Sequence, residues 1–416
     1  MSAGLDESAV MRAWSFTVAV CLGLAGALSS DRALAEDAGE AEFRACIASL
    51  AERARGEGIS ERTLADTLAR ARFRQRIIDA DRRQPEFTDS FSRYLGLRVT
   101  EAQVERGRAL ADTHAALLSR VSREHGVPGQ VLLALWAVET SFGRFFGDLP
   151  TFDALATLAC DTRRSTFFAG ELMAALQLVE RGHVAPEDML GSWAGAMGHV
   201  QFMPSVYLRH AIDGDGDGRA DLWNSVPDAM ASAANFLAAL GWQPGWRWGR
   251  EVSLPAEFDY ALAGRDRGRP LAEWQRLGVR TAGGGPLPVA DTRASLLVPA
   301  GHRGPAFLVY DNFNVLMRWN RSEFFALTVG ILADRIAGGP PLVTSPPPDA
   351  LRLSRAQVTA LQRALNAAGF DAGTADGIFG PATRGALRDF QHARGEVADG
   401  FPDATLLEAL GVEVTP

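Results

Sequence analysis

From Gln130 to Thr140 the chain reads QVLLALWAVET, with eight unbroken apolar residues between Val131 and Val138. Coiled into a helix, this segment is apolar on nearly every side. It cannot lie on a surface with one face in water, so other helices must wrap it. The rest of the chain offers them. Helical spacing marks Phe43, Cys46, Ile47, Leu50 and Ala51, and Ser60 caps a second helix after Ile59. A loop is expected over Asp81–Phe87. The helical period returns from Val104 through Glu124 and breaks at Gly126-Val127-Pro128. It is found again at Ala154–Leu158, Thr166–Glu180, Pro227–Leu240 and Glu323–Ile336. After Gly241 the texture changes: Trp242, Trp246 and Trp248 stand among glycines, and short runs at Ser295–Val298 and Ala306–Tyr310 favour strands. The expected fold is mainly α, with a small β-containing insertion packed on a helical body.

Two boundaries divide the chain. Gly338-Gly339-Pro340-Pro341 through Pro346-Pro347-Pro348 is proline-stiffened and lacks core residues, so 338–352 reads as a linker or tether. Beyond it, 353–412 forms a small domain of two or three short helices, and the main body spans 40–337. At the other end, the apolar stretch Ala13–Leu28 follows Arg12 and precedes Ala33-Leu34-Ala35, the order of a cleaved secretory signal over residues 1–35. Asp6 and Glu7 do not suit the basic start of such a signal, whereas a start at Met11 does. The stretch is shorter than the ~20 residues of a membrane span, and Val20 before Cys21 does not suit a lipoprotein. The expectation is export to the periplasm with no span in the mature chain. Cleavage leaves Cys46 and Cys160, and an even count in an oxidising compartment favours a disulfide over two separate thiols. The net charge is −8, from 42 Lys+Arg against 50 Asp+Glu, and every Lys+Arg residue is arginine. That balance gives no basic face for nucleic acid.

The apolar helix ends in Glu139-Thr140-Ser141-Phe142-Gly143. A carboxyl there loses hydration, which raises its pKa toward the range of a general acid. An ordinary helix-end glutamate paired with arginine has the same local sequence. A second segment, Gly191-Ser192-Trp193-Ala194-Gly195-Ala196-Met197-Gly198-His199-Val200-Gln201-Phe202-Met203-Pro204-Ser205, is dense in small residues. Backbone can approach a ligand closely there, with Ser192 and Gln201 offering hydrogen bonds and Phe202 a flat face. Together with Asp311-Asn312-Phe313 and Arg318-Trp319-Asn320 downstream, these motifs from about Phe43 to Ala337 resemble the lytic murein transglycosylase B family.

The resemblance implies a lysozyme-like catalytic domain that cleaves the MurNAc–GlcNAc bond of peptidoglycan strands, with Glu139 as catalytic acid and base and no organic cofactor. It further implies that Tyr94, Ser192, Gln201, Phe202 and Asn320 line the substrate groove. Phe236, Trp319 and Phe325 fall where members of the family carry tyrosines, so these platforms lack the hydroxyl. One carboxylate then suffices: Glu139 protonates the leaving oxygen, and the C6 hydroxyl attacks C1 to give a 1,6-anhydroMurNAc end. Asp148 and Asp153 read as helix caps. Two readings stand beside this one, a hydrolytic muramidase using the same glutamate and a non-catalytic wall-binding scaffold.

Asp213-Gly214-Asp215-Gly216-Asp217-Gly218-Arg219 follows the EF-hand loop, with oxygen ligands at Asp213, Asp215 and Asp217 and the Arg219 carbonyl. Asn224 occupies the last position in place of glutamate. Asp228 supplies that ligand if the loop is longer, or else follows Ser225 in a capping box. A structural calcium is expected. In the tail, Leu361-Gln362, Gly369-Phe370, Asp376-Gly377-Ile378-Phe379-Gly380 and Phe390-Gln391 resemble the type 1 peptidoglycan-binding domain. The mature chain is expected to work as a monomer.

Overall fold

The computed structural model describes residues 39–83, 89–348, 351 and 353–413. The signal segment expected over 1–35 lies outside the described residues, as does the middle of the loop expected after Asp81. Among the described residues the protein is mainly helical, with 52% helix and 7% strand. It divides into two compact units, one of the described residues through Ile78 with Phe152–Pro186, the other of Asp79–Thr151 with Glu187 onward.

In the first unit a helix over 39–56 is followed by the short helix Glu61–Asp66. Ser60 caps it as expected, its Oγ accepting from Thr63 N at 3.3 Å while donating to Glu180 Oε2 at 2.8 Å. Glu180 closes the helix Ser165–Glu180. A disulfide joins Cys46 to Cys160. Asp153 departs from the expected loop cap. It lies in the first turn of the helix Thr151–Ala159, buried, and accepts from Arg72 N at 2.9 Å and Arg74 Nε at 2.8 Å. The helix Gln75–Arg83 takes in Asp81–Arg83, which the sequence assigned to a loop.

The second unit is built around the apolar segment, which forms the helix Gly129–Thr140 with Val131–Ala137 buried. The helices Glu323–Ile336, Glu101–Thr113 and Ala115–His125 pack against it. The last of these stops at Gly126, with φ 72°. A Cβ there would stand 2.4 Å from Pro244 Cγ, so the turn excludes any larger residue. The region after Gly241 supplies a five-stranded antiparallel sheet in the order Arg269–Pro270, Arg293–Leu297, Ala306–Val309, Gly249–Ser253, Arg280–Thr281. Its core gathers Trp274, Leu271, Leu296 and Leu308. Asn312, fully buried, ties the tryptophan-rich turn to the helix Asp311–Trp319. Its Nδ2 donates to the carbonyls of Gln243 and Trp246 at 2.9 and 2.8 Å, and its Oδ1 accepts from Gln243 N at 2.8 Å.

The tail forms three helices, Arg355–Ala367, Pro381–Ala393 and Ala404–Ala409, over a core of Leu361, Leu365, Leu387, Leu406 and Leu407. Two equivalent clasps hold it. Gln362 accepts from Gly377 N and donates to Asp376 Oδ1; Gln391 accepts from Gly400 N and donates to Asp399 Oδ1. The repeated Ala-Asp-Gly at 375–377 and 398–400 is their mark in the sequence. The expected free tether is instead pinned. Glu251 accepts from Val343 N and Thr344 N at 2.8 and 2.7 Å, and Ser92 Oγ donates to Pro347 O at 2.6 Å. The second clasp also docks on the β region, where Asp399 Oδ2 accepts from His302 N at 2.8 Å and lies 2.7 Å from its Nδ1.

Candidate active site

Glu139 is the penultimate residue of the buried helix and is itself only partly covered. The indole Nε1 of Trp319 donates to Glu139 Oε1 at 2.8 Å. The helix stops because Ser141, Phe142 and Gly143 are all left-handed, with φ of 51°, 60° and 76°. For the two non-glycine residues that conformation costs roughly 1–2 kcal/mol each, and local contacts offset it. Gln103 Nε2 donates to Ser141 Oγ at 3.1 Å, and the buried Phe142 ring meets Trp136 edge-on at 5.7 Å. Gly143 has no alternative, since a Cβ would fall 2.4 Å from His199 Cε1. The motif Glu139–Gly143 is therefore a reversal that presents the carboxyl and folds back over His199.

His199 was not singled out from sequence. It is buried, its Nδ1 accepts from Trp136 Nε1 at 2.9 Å, and its carbonyl accepts from Thr140 Oγ1 at 2.8 Å. Burial holds the imidazole down to about 4, so it is neutral at pH 7. It braces the helix end that carries the acid. An unbroken Gly-His inside a small-residue segment was the available signal.

The segment Gly191–Ser205 forms the facing wall. A Cβ on Gly191 would stand 2.2 Å from Ala196 O, and one on Gly147 2.0 Å from Gly191 O, so the backbones touch here. Ser192 is partly exposed, and its Oγ accepts from Ala194 N and Ala196 N at 3.3 and 3.1 Å, leaving the hydroxyl hydrogen for another partner. Gln201, left-handed at φ 48°, donates Nε2 to Phe146 O and Gly198 O at 3.1 and 3.0 Å, leaving its carbonyl for a ligand. Phe202, Phe236 and Trp319 form a triangle of rings 5.3–5.5 Å apart beside Glu139. Phe236, Trp319 and Asn320 are partly exposed, and Asn320 Oδ1 accepts from Ser322 N at 3.1 Å.

Three expected groove residues are interior. Phe202, Tyr94 and Phe325 are 2%, 3% and 3% exposed, too covered to present a face to sugar. Phe202 supports the two exposed rings from below. Tyr94 lies under the Arg98 guanidinium, 3.8 Å from its centroid, and beside Phe324 at 6.0 Å. Phe325 is fixed by the cap Ser322, whose Oγ accepts from its amide.

The acidic loop gathers Asp213, Asp215 and Asp217, with carboxylate oxygens within 4.8 Å of one another and all three exposed. Backbone amides of Gly218 and Gly216 hold Asp213 below the usual carboxylate range. Asn224 and Asp228 stand outside the trio. Asn224 Nδ2 donates to Asp221 Oδ2 at 2.9 Å. Asp228 is buried, each oxygen accepting a backbone amide at 2.7 Å, from Gly214 and Asp221. Its carboxyl sits above its ordinary range because burial outweighs those bonds. Both were expected as metal ligands; their oxygens and amide instead tie the loop to itself. Ser225 does cap the following helix, accepting from Asp228 N, and donates to Asp215 Oδ2 at 2.8 Å.

Comparison with known proteins places the chain in a family. The transglycosylase SLT domain family matches residues 42–334, and a peptidoglycan binding domain family matches 354–410. The membrane-bound lytic murein transglycosylase B of Escherichia coli (strain K12) is 32% identical over 259 residues, 59% of this chain and 67% of that protein. SltB3 from Pseudomonas aeruginosa, solved in complex with NAG-anhNAM-pentapeptide, superposes with a TM-score of 0.85 at 42% identity, covering 89% of this chain and 99% of its own. Escherichia coli Slt35, solved in complex with calcium, superposes with a TM-score of 0.61 at 28% identity over 71% of this chain and 92% of its own.

Proposed function

The chain belongs to the SLT transglycosylase family and is a lytic transglycosylase of peptidoglycan with a lysozyme-like fold, and on that footing we propose that Glu139 alone carries its acid–base chemistry. Glu139 in its acid form protonates the oxygen leaving C1 of MurNAc, and the C1–O bond breaks with the neighbouring N-acetyl group supporting the positive centre. The resulting carboxylate takes the proton of the C6 hydroxyl as that oxygen bonds to C1. The product is a 1,6-anhydroMurNAc end, with Glu139 reprotonated and no water consumed. The observation that carries this reading is the Trp319 N–H on Glu139 Oε1. The indole supplies a donor where the family resemblance implied a tyrosine, and it holds Oε1 of the acid. Phe236 and Trp319 offer ring surface to sugar, while Ser192, Gln201 and Asn320 flank it.

The loop Asp213–Asp217 supplies hard oxygen donors that suit calcium, and a bound ion there offsets the mutual repulsion of three carboxylates. With the Arg219 carbonyl it would hold the ion in a structural role, remote from any proton transfer. The leader-like residues 1–35 and the peptidoglycan substrate support export to the periplasm. No helix among the described residues is long and apolar enough to cross a membrane.

The test is mass spectrometry of digested sacculi, wild type beside Glu139→Gln. The expected products are lighter by one water than reducing muropeptides, and the variant should release fewer by on the order of 10²-fold or more. Reducing ends would assign hydrolysis instead, and near-normal release by the variant would remove Glu139 from the mechanism.

A further inference from the structure

Between the β region and the three C-terminal helices lies a cleft of about 320 Å³. Arginines line both walls, Arg265 and Arg267 from the β region and Arg384 and Arg388 from the helix Pro381–Ala393. The carboxylates around them are mostly engaged. Glu323 lies 3.4 Å from Arg384 Nη1, and Asp399 holds His302 and Gln391; Asp266 is exposed. Arg388 is half-buried and donates Nη1 to Tyr260 O at 3.0 Å, with no carboxylate in ion-pair distance among the described residues. Its Nε and that of Arg384 are buried and lack an acceptor. Burial, then the charge of Arg267, hold the Arg388 guanidinium below its ordinary range, with Arg384 adding to this and Asp389 and Asp259 opposing it. Each orphaned donor costs roughly 1–3 kcal/mol, and the like charges add to that. An anion seated between the two walls would offset the like charges. Leu297, Val298 and Phe401 add apolar wall beside the charges.

We propose that this cleft binds the carboxylates of the peptide stem attached to peptidoglycan, a short acidic peptide, through Arg388, Arg384 and Arg267. The proposal rests on the peptidoglycan reading above. Its reach is consistent with chain geometry. Glu323 of the cleft is four residues beyond Trp319, which touches Glu139, so their Cα atoms lie within about 14 Å. An extended stem of about five residues spans roughly 17 Å. A stem attached to a strand in the groove is of the length needed to approach the arginines, and the docked tail then supplies half of a peptide-reading site.

The experiment uses full-length protein carrying Glu139→Gln, so that ligand is not consumed. Calorimetry compares a soluble disaccharide–pentapeptide with the same disaccharide lacking peptide. Arg388→Gln and, on the opposite wall, Arg267→Gln should each weaken the peptide-bearing ligand about tenfold and leave the bare disaccharide unchanged. Amidating the stem carboxylates should cause the same loss in protein with all arginines intact, and no further loss in Arg388→Gln. Arg388→Lys should recover part of the affinity. Equal weakening of both ligands would make the arginines purely architectural, and no weakening would leave the stem elsewhere; either overturns the proposal. So does displacement by inorganic phosphate combined with indifference to amidation, which would mark a site for small anions alone. Release of anhydro ends from peptide-free glycan by protein with Glu139 intact tests the transglycosylase reading separately.

Discussion

Around Glu139 a carboxylate is set among aromatic rings, on a helix buried along most of its length, and accepts from the Trp319 indole N–H. In the loop Asp213–Asp217 three carboxylates sit in water within 4.8 Å of one another, held by backbone amides. The same functional group thus has opposite surroundings a short distance apart in sequence. Amide bonds at the loop keep Asp213 ionised to low pH, which suits a permanent charge that grips a cation. At the groove the acid accepts from the Trp319 indole N–H, and the proposed chemistry requires it to give up and regain a proton. The difference teaches that a carboxyl used for proton transfer is set apart from other acids among rings, whereas a cation site gathers several carboxylates together.

The first way to break the comparison is at Trp319. Trp319→Phe keeps a ring and removes the donor, and a hydrogen bond to a charged group contributes roughly 1.5 kcal/mol or more. Steady-state kinetics on soluble glycan should give kcat lower by about tenfold, with the melting temperature little changed. An unaltered kcat would mean that the indole only packs. The loop should respond the other way round. Calcium at a hundred times its dissociation constant should stabilise the fold by ~2.7 kcal/mol, a rise of about 3 °C in a melting scan for a chain of this size. Chelation should reverse that while leaving activity at low temperature intact. Asp215→Asn should flatten the calcium response, and a melt indifferent to calcium in the wild type would leave the loop a polar turn.

His199 sharpens the comparison because it touches both regions. Its carbonyl accepts from Thr140 beside the acid, and its amide donates to Leu222 O beyond the metal loop. Its folded pKa of about 4 is below the ordinary 6.5. The unfolded chain therefore binds the extra proton first as pH falls. The stability from the buried neutral ring is complete above pH 6.5 and is lost progressively down to about pH 4, on the order of 2–3 kcal/mol in all. The melting temperature should slope downward through that window, and less so in His199→Gln, whose side chain keeps an acceptor for Trp136. Equal slopes would assign the acid lability to other groups.

Most of the helical frame was legible because periodicity reports burial, and the run Val131–Val138 left no alternative to a central helix. The reversal after Glu139 was spelled by a motif, and the trio of aspartates by its alternation with glycine. The remainder depended on which way side chains face. Tyr94, Phe202 and Phe325 are aromatic residues in the right segments, yet spacing alone does not say whether a ring looks into a groove or into the core behind it. Asn224 and Asp228 fit a ligand pattern, while the folded loop ties Asp228 to the amides of Gly214 and Asp221 and Asn224 to the Asp221 carboxylate. The pinned linker was hidden for a different reason. Glu251 is more than ninety residues from the amides it holds, and proline-rich composition describes the free chain, without saying what it will rest on.

The bond between Cys46 and Cys160 spans 114 positions, and its unit is interrupted in sequence by Asp79–Thr151. A ribosome adding ~5–20 residues per second needs roughly 6–23 seconds to supply the second cysteine after the first. The opening helix is made early and waits for its partners, its thiol free to meet other sulfur. Maturation of this unit is therefore governed by the order in which the chain is delivered, and an oxidant that acts too soon should trap dimers before the intramolecular bond can close.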